Sequence, residues 1–185
     1  MAANRITPPF YHMVNKRLID EPIFSLRLGS SEADAGEVVF GGIDRNAYKG
    51  EITYVPVRGR GYWEVELQKF SFGDEVIELE NTGALIDTGT SLIGMPADIA
   101  ELLNDQIGAT RTWNGYQVDC ATVSRLPELS FYFAGKAYPL RASDYIVQVQ
   151  GVCMSAFTPI NGNLPGEHVW VLGESGWSHH SAKPD

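Results

Sequence analysis

An all-β fold with two short helices is the architecture this sequence predicts, and three observations carry it. Short runs rich in β-branched and aromatic residues recur along the chain, bounded by Gly, Asn, Asp or Pro. They do not alternate with long helical patterns, as parallel βαβ units would require, and their spacing is that of a sandwich or barrel. The stretch YWEVEL (62–67) alternates, with Trp63, Val65 and Leu67 on one side and Glu64 and Glu66 on the other. That is the pattern of a strand with one wet face.

The elements follow in chain order. PPFYHMVNKRLID (8–20) predicts a first short helix. FSLRL (24–28), EVVFGGI (37–43) and EITYVPV (51–57) read as strands, followed by 62–67. In FSFGDEVIEL (70–79), Gly73-Asp74 separates two strand-like arms and predicts a hairpin. The second helix spans 96–107, with Pro96 at its first position, Ile99, Leu102, Leu103 and Ile107 at helical spacing, and Gly108 to end it. Residues 128–140 form another hairpin pattern around Ala134-Gly135-Lys136. DYIVQV (144–149), VCMSAF (152–157) and HVWVLG (168–173) complete the strands. Beyond them, ESGWSHHSAKPD (174–185) has no strand or helix periodicity and is expected to be a disordered tail. His179 and His180 lie in that polar stretch and are read as solvated rather than as metal ligands; neither metal nor cofactor is expected.

Bulk properties exclude several functions. A net charge of −9 is unsuited to binding phosphate backbones, so nucleic acid is not an expected partner. No apolar run approaches the roughly 18 residues of a membrane helix. The opening MAANRITPPF has no apolar core of a signal peptide. Cys120 and Cys153 are too far apart for a redox pair, and no further cysteine supports a zinc site. They are either two buried thiols or one disulfide, and composition does not choose.

The residue that asks for chemistry is Asp87, in GALIDTGTSLIGM, because an ionised carboxylate without partners is costly to bury. A Walker A loop is excluded: Gly89 and Gly94 have the glycine spacing, but Met95-Pro96 stand where lysine is required. A phosphorylated-aspartate site lacks its basic and metal-binding neighbours. A strand-end turn, in which Asp and Thr side chains bond their own backbone, is the plain structural alternative.

The longer context points further. ALIDTGTSL (84–92) is preceded by PPFYHMVNKRLIDEPIFSLRL, GEVVFGGID and YVPVRGRGYWEVEL, and followed by YQVDC, LPELSFYFAGKAYPL, DYI and HVWVLG. In that order these segments resemble the C-terminal lobe of the pepsin-like aspartic proteases, and most closely fungal vacuolar, saccharopepsin-type enzymes. The resemblance runs from about Asn4 to Gly173.

The resemblance implies a pepsin-like all-β lobe and an aspartic-type endopeptidase acting on polypeptides in an acidic compartment. Asp87 would be the lobe's catalytic aspartate. Thr88, Gly89, Thr90 and Ser91 would form the active-site loop, with Thr88 bracing it through its hydroxyl. Thr90 and Tyr62 would line the substrate cleft. Val171-Leu172-Gly173 would be the strand beneath the loop. Cys120 and Cys153 would be the lobe's disulfide. Residues 1–23 would lead out of an N-terminal lobe, 24–173 would be the C-terminal lobe, and 174–185 a divergent tail. The implied compartment is a vacuole or lysosome, or the outside of the cell.

The chain departs from the pattern in having a single Asp-Thr-Gly. Asp44, Asp119 and Asp144 are not followed by Thr-Gly. After Val171-Leu172-Gly173 the chain continues Glu174-Ser175-Gly176-Trp177, where the family has an Asp and then an apolar helix; truncation at both ends is therefore expected, with an N-terminal lobe needed to complete the site. The chain alone is expected to be inactive and weakly self-associating. Two alternatives stand beside this: a homodimeric single-lobe protease, and a non-catalytic peptide-binding protein on the same scaffold.

Overall fold

A computed structural model describes residues 6–29, 34–59, 61–160 and 169–176. The chain divides into two compact units, one within residues 1–52 and the other beginning at Thr53.

In the first unit, helix α1 (Pro9–Asn15) is shorter than the 8–20 expected. Its apolar residues give it no buried side chain, and Arg17 turns into the left-handed region at φ 53°, which a helix cannot continue through. Strands β1 (Phe24–Arg27) and β2 (Glu37–Phe40) pair antiparallel as a two-stranded ribbon, Phe24 opposite Phe40 and Leu26 opposite Val38. Phe10 packs edge-on against Phe24 with ring centroids 5.1 Å apart.

The second unit carries the remaining strands. They are β3 (Glu64–Glu66), β4 (Lys69–Phe72), β5 (Glu75–Glu78), β6 (Gly83–Ile86) and β7 (Ile93–Met95), then helix α2 (Ala97–Gln106). After it come β8 (Thr110–Thr112), β9 (Gly115–Val118), β10 (Leu129–Phe133) and β11 (Lys136–Leu140). The short helix α3 (Ala142–Tyr145) precedes β12 (Ile146–Val149), β13 (Val152–Ser155), β14 (Phe157–Pro159) and β15 (Val169–Leu172). Three sheets result, with strand orders β11-β10-β4-β5, β12-β13-β9-β8 and β14-β7-β15-β6-β3.

Both expected hairpins form. Gly73, at φ 58°, turns β4 into β5, and Ala134 and Gly135, at φ 49° and 76°, turn β10 into β11. In the second hairpin, positive φ at both central residues gives a turn whose twist suits antiparallel strands. The predicted strand at 51–57 is absent apart from one isolated bridge, Val57 to Val65. Pro56 has no N–H to give a ladder, which limits the segment to that contact. The alternation at 62–67 holds at its inner end, where Leu67 is fully buried, but Trp63 is 58% exposed because it precedes the strand. Pro96 caps α2 rather than opening it, and Gly108, at φ 69°, follows its end. Helix α2 buries Ala100, Leu103 and Asn104, while Leu102 points outward.

The core lies where the five-stranded sheet packs on β4 and β10. Trp170 of β15 is 1% exposed, with its ring 5.3 Å from that of Phe70 and 5.9 Å from Phe131. Tyr145 stacks on Phe157 at 4.9 Å, and its hydroxyl donates to the Pro127 carbonyl at 2.6 Å. Burial raises the Tyr145 pKa above the ordinary phenol value. Cys120 and Cys153 form a disulfide, their Cα atoms 5.4 Å apart, tying the start of a 3-10 turn (Cys120–Arg125) to β13.

Candidate functional site

Asp87 sits at the end of β6, where a buried strand opens into a loop. Gly83, Ala84 and Leu85 are buried, Asp87 is partly buried, and Thr88, Gly89 and Ser91 are exposed. A carboxylate at this point keeps contact with water while its main chain belongs to the sheet, which relieves the cost of an apolar setting.

The loop orients the carboxylate through its own bonds. The Gly89 N–H donates to Asp87 Oδ1 at 2.9 Å, and the Thr90 hydroxyl donates to Oδ2 at 2.6 Å. Hydrogen bonds to an ionised acceptor are the short, strong kind, so both oxygens are held. The Asp87 N–H donates to the Leu172 carbonyl at 3.0 Å, continuing the parallel ladder in which Leu172 stands opposite Ile86. The strand-end turn foreseen as an alternative is thus present, and the turn is also what aims the carboxylate. Among the described residues Thr90, rather than Thr88, braces the loop through a hydroxyl.

A second segment closes on the loop from behind. The Gly173 N–H donates to the Leu92 carbonyl at 3.1 Å, the Glu174 N–H to the Thr90 carbonyl at 2.7 Å, and the Ser175 hydroxyl to the Ser91 carbonyl at 2.7 Å. A Cβ at Gly173 would run into the Thr90 and Leu92 carbonyl oxygens, so only glycine permits this approach. Glu174–Gly176 form a 3-10 turn in which Ser175 and Gly176 are buried. This corrects the expectation of a disordered tail from 174 onward: these three residues are fixed by the loop they touch. The remainder, 177–185, lies outside the described residues. Sequence reasoning missed Glu174 and Ser175 because the stretch carries no periodicity, and its partners lie more than 80 residues away.

Tyr62 is 57% exposed. The neighbouring Trp63 carbonyl accepts the Ile86 N–H at 2.9 Å, which brings the Tyr62–Trp63 backbone beside the start of the loop. Beyond β3, Arg58 lies 3.7 Å from Glu64 and donates to Asn81 Oδ1. Among the described residues no group of three or more His, Cys, Asp or Glu side chains is arranged to hold a metal ion.

The eukaryotic aspartyl protease family profile matches residues 1–179, and the chain belongs to that family. It is 44% identical over 179 residues to a vacuolar aspartic protease of Candida albicans, covering 95% of this chain and 43% of that protein. It is 43% identical over 178 residues to vacuolar protease A of Aspergillus fumigatus, covering 95% of this chain and 45% of that one. Pepsin A of Suncus murinus is 34% identical over 176 residues. The chain therefore spans under half the length of the relatives it matches.

Proposed function

We propose that this chain supplies one lobe of an aspartic endopeptidase, with Asp87 as one of two carboxylates that activate a water for attack on a peptide carbonyl. The observation that carries the reading is the pair of hydrogen bonds to Asp87, from the Gly89 N–H to Oδ1 and the Thr90 hydroxyl to Oδ2, on a partly exposed carboxylate at a strand end. Such a carboxylate is oriented before any substrate arrives.

One carboxylate cannot serve as base and acid for the same water. Two carboxylates in close reach share a proton, because like charges so near each other cannot both ionise. One then removes a proton from water while the other gives one to the carbonyl oxygen. The second carboxylate belongs to an N-terminal lobe, a reading supported by relatives more than twice the length matched here. The substrates are polypeptides, with Thr90, Ser91 and Tyr62 lining this lobe's side of the cleft. Alone, the chain hydrolyses little or nothing. The names of the vacuolar relatives support an acidic vacuole or lysosome-like compartment as the place of work. No described helix is long and apolar enough to cross a membrane.

The test joins this chain to an N-terminal lobe bearing a second Asp-Thr-Gly loop and assays cleavage of a denatured protein at about pH 3–5. Cleavage by the joined protein, its loss in Asp87→Asn, and inactivity of the single chain are expected. Activity that survives Asp87→Asn overturns the assignment. Activity of the single chain, rising with its concentration, would replace the two-lobed arrangement with a homodimer.

A further inference from the structure

We propose that Ser175 is a positioning residue for the Asp87 loop. This rests on the reading of Asp87 given above. The limb that returns from Asp87 to β7 carries three consecutive carbonyls, at Thr90, Ser91 and Leu92. Each accepts a bond from the 173–175 segment: Leu92 from the Gly173 N–H, Thr90 from the Glu174 N–H, and Ser91 from the Ser175 hydroxyl.

The three bonds are not equivalent. Two come from main-chain groups that any residue would supply. The middle one comes from a side chain, at 2.7 Å, and the Ser175 N–H reaches the same oxygen only at 3.4 Å. Ser175 is 7% exposed, so little water is at hand to replace a lost donor. The carbonyl it holds belongs to the residue after Thr90, whose hydroxyl donates to Asp87 Oδ2. The hydroxyl therefore holds the Ser91–Leu92 peptide, the next one on from the Thr90 carbonyl that the Glu174 N–H holds, and it acts on the carboxylate by fixing the limb that carries Thr90. Ser175 touches neither substrate nor reacting atoms, and its effect passes through the limb.

The experiment measures backbone amide exchange in the full chain and in Ser175→Ala and Ser175→Thr. With alanine, the Gly173 and Glu174 amides are expected to exchange about tenfold faster, the scale of one lost hydrogen bond, while β4 and β10 amides stay unchanged. Threonine, which keeps the donor, restores slow exchange. Unchanged exchange with alanine overturns the proposal. So does a uniform rise across all strands, or unfolding, since Ser175 would then act on the whole lobe. So does equal loosening by threonine. In the two-lobed protein, Ser175→Ala is expected to lower kcat about tenfold with KM within twofold. If the limb loosens but activity is indifferent to Asp87→Asn, the catalytic reading fails. If Asp87→Asn abolishes activity and the limb does not loosen, only the role of Ser175 fails.

Discussion

Trp170 and Phe40 are both large aromatic residues on β-strands, yet one is 1% exposed and the other 49%. Trp170 belongs to β15, with β6 and β7 on its two sides and the rings of Phe70 and Phe131 packed against its own. Phe40 belongs to a ribbon of two strands, where Leu26 and Val38 are also 44% and 50% exposed. Residue type is nearly the same in the two places; the number of strands and layers around it is not. A strand buries its side chains only when another layer lies over it. The site follows the same rule: the Asp87 loop is held because its strand is interior to a five-stranded sheet, with β15 on one side and β3 on the other.

Three measurements sharpen that contrast. Trp170→Ala empties the junction between two sheets and is expected to cost about 3–5 kcal/mol of unfolding free energy, read from the denaturant midpoint. A loss under about 1 kcal/mol would mean the two layers are not coupled through this ring.

Tyr145 gives a pH test of the same core. Burial favours the neutral phenol, so the folded-state pKa lies above the unfolded one. Its stabilisation is complete below roughly pH 10 and is lost as the pH climbs from there through the folded-state value. Wild-type protein is expected to lose stability through that alkaline range. Tyr145→Phe is expected to start about 1 kcal/mol lower at neutral pH, having lost its bond to Pro127, and to show a shallower alkaline fall. Identical alkaline profiles for the two proteins would rule Tyr145 out as the source.

The smallest effect is expected in the ribbon. Val38→Ser should change stability by no more than about 0.5 kcal/mol, since Val38 is half exposed already. A loss as large as that at Trp170 would show that the ribbon face is covered in solution.

Much of this architecture was legible from local chemistry. Gly73 and Gly135 turn their hairpins where glycine allows positive φ, and Gly108 follows the end of α2 for the same reason. Asp87 stood out because a carboxylate in an apolar run needs a cause. The misreadings share a different character. EITYVPV has strand-like residues, but Pro56 and the lack of a continuous partner leave it with a single bridge. Trp63 follows the alternation of its strand yet lies just before it and is 58% exposed. Glu174–Gly176 look unstructured in sequence because their order comes from Thr90, Ser91 and Leu92, which no local pattern reveals. What local propensity specifies was visible; what a distant strand supplies was not.

The order of strands in the five-stranded sheet bears on how the protein is made. β6 and β7 are neighbours in sequence, separated by the Asp87 loop, but they do not pair with each other; β15 lies between them. During synthesis the ribosome releases both long before residues 169–172 emerge. Until then the loop has neither the Leu172 carbonyl nor the 173–175 segment behind it. About 75 residues separate the end of β7 from the start of β15, so these contacts are long-range in sequence. Pairing of β15 between β6 and β7 is a long-range step, and the Asp87 loop gains its backing only when that step is made.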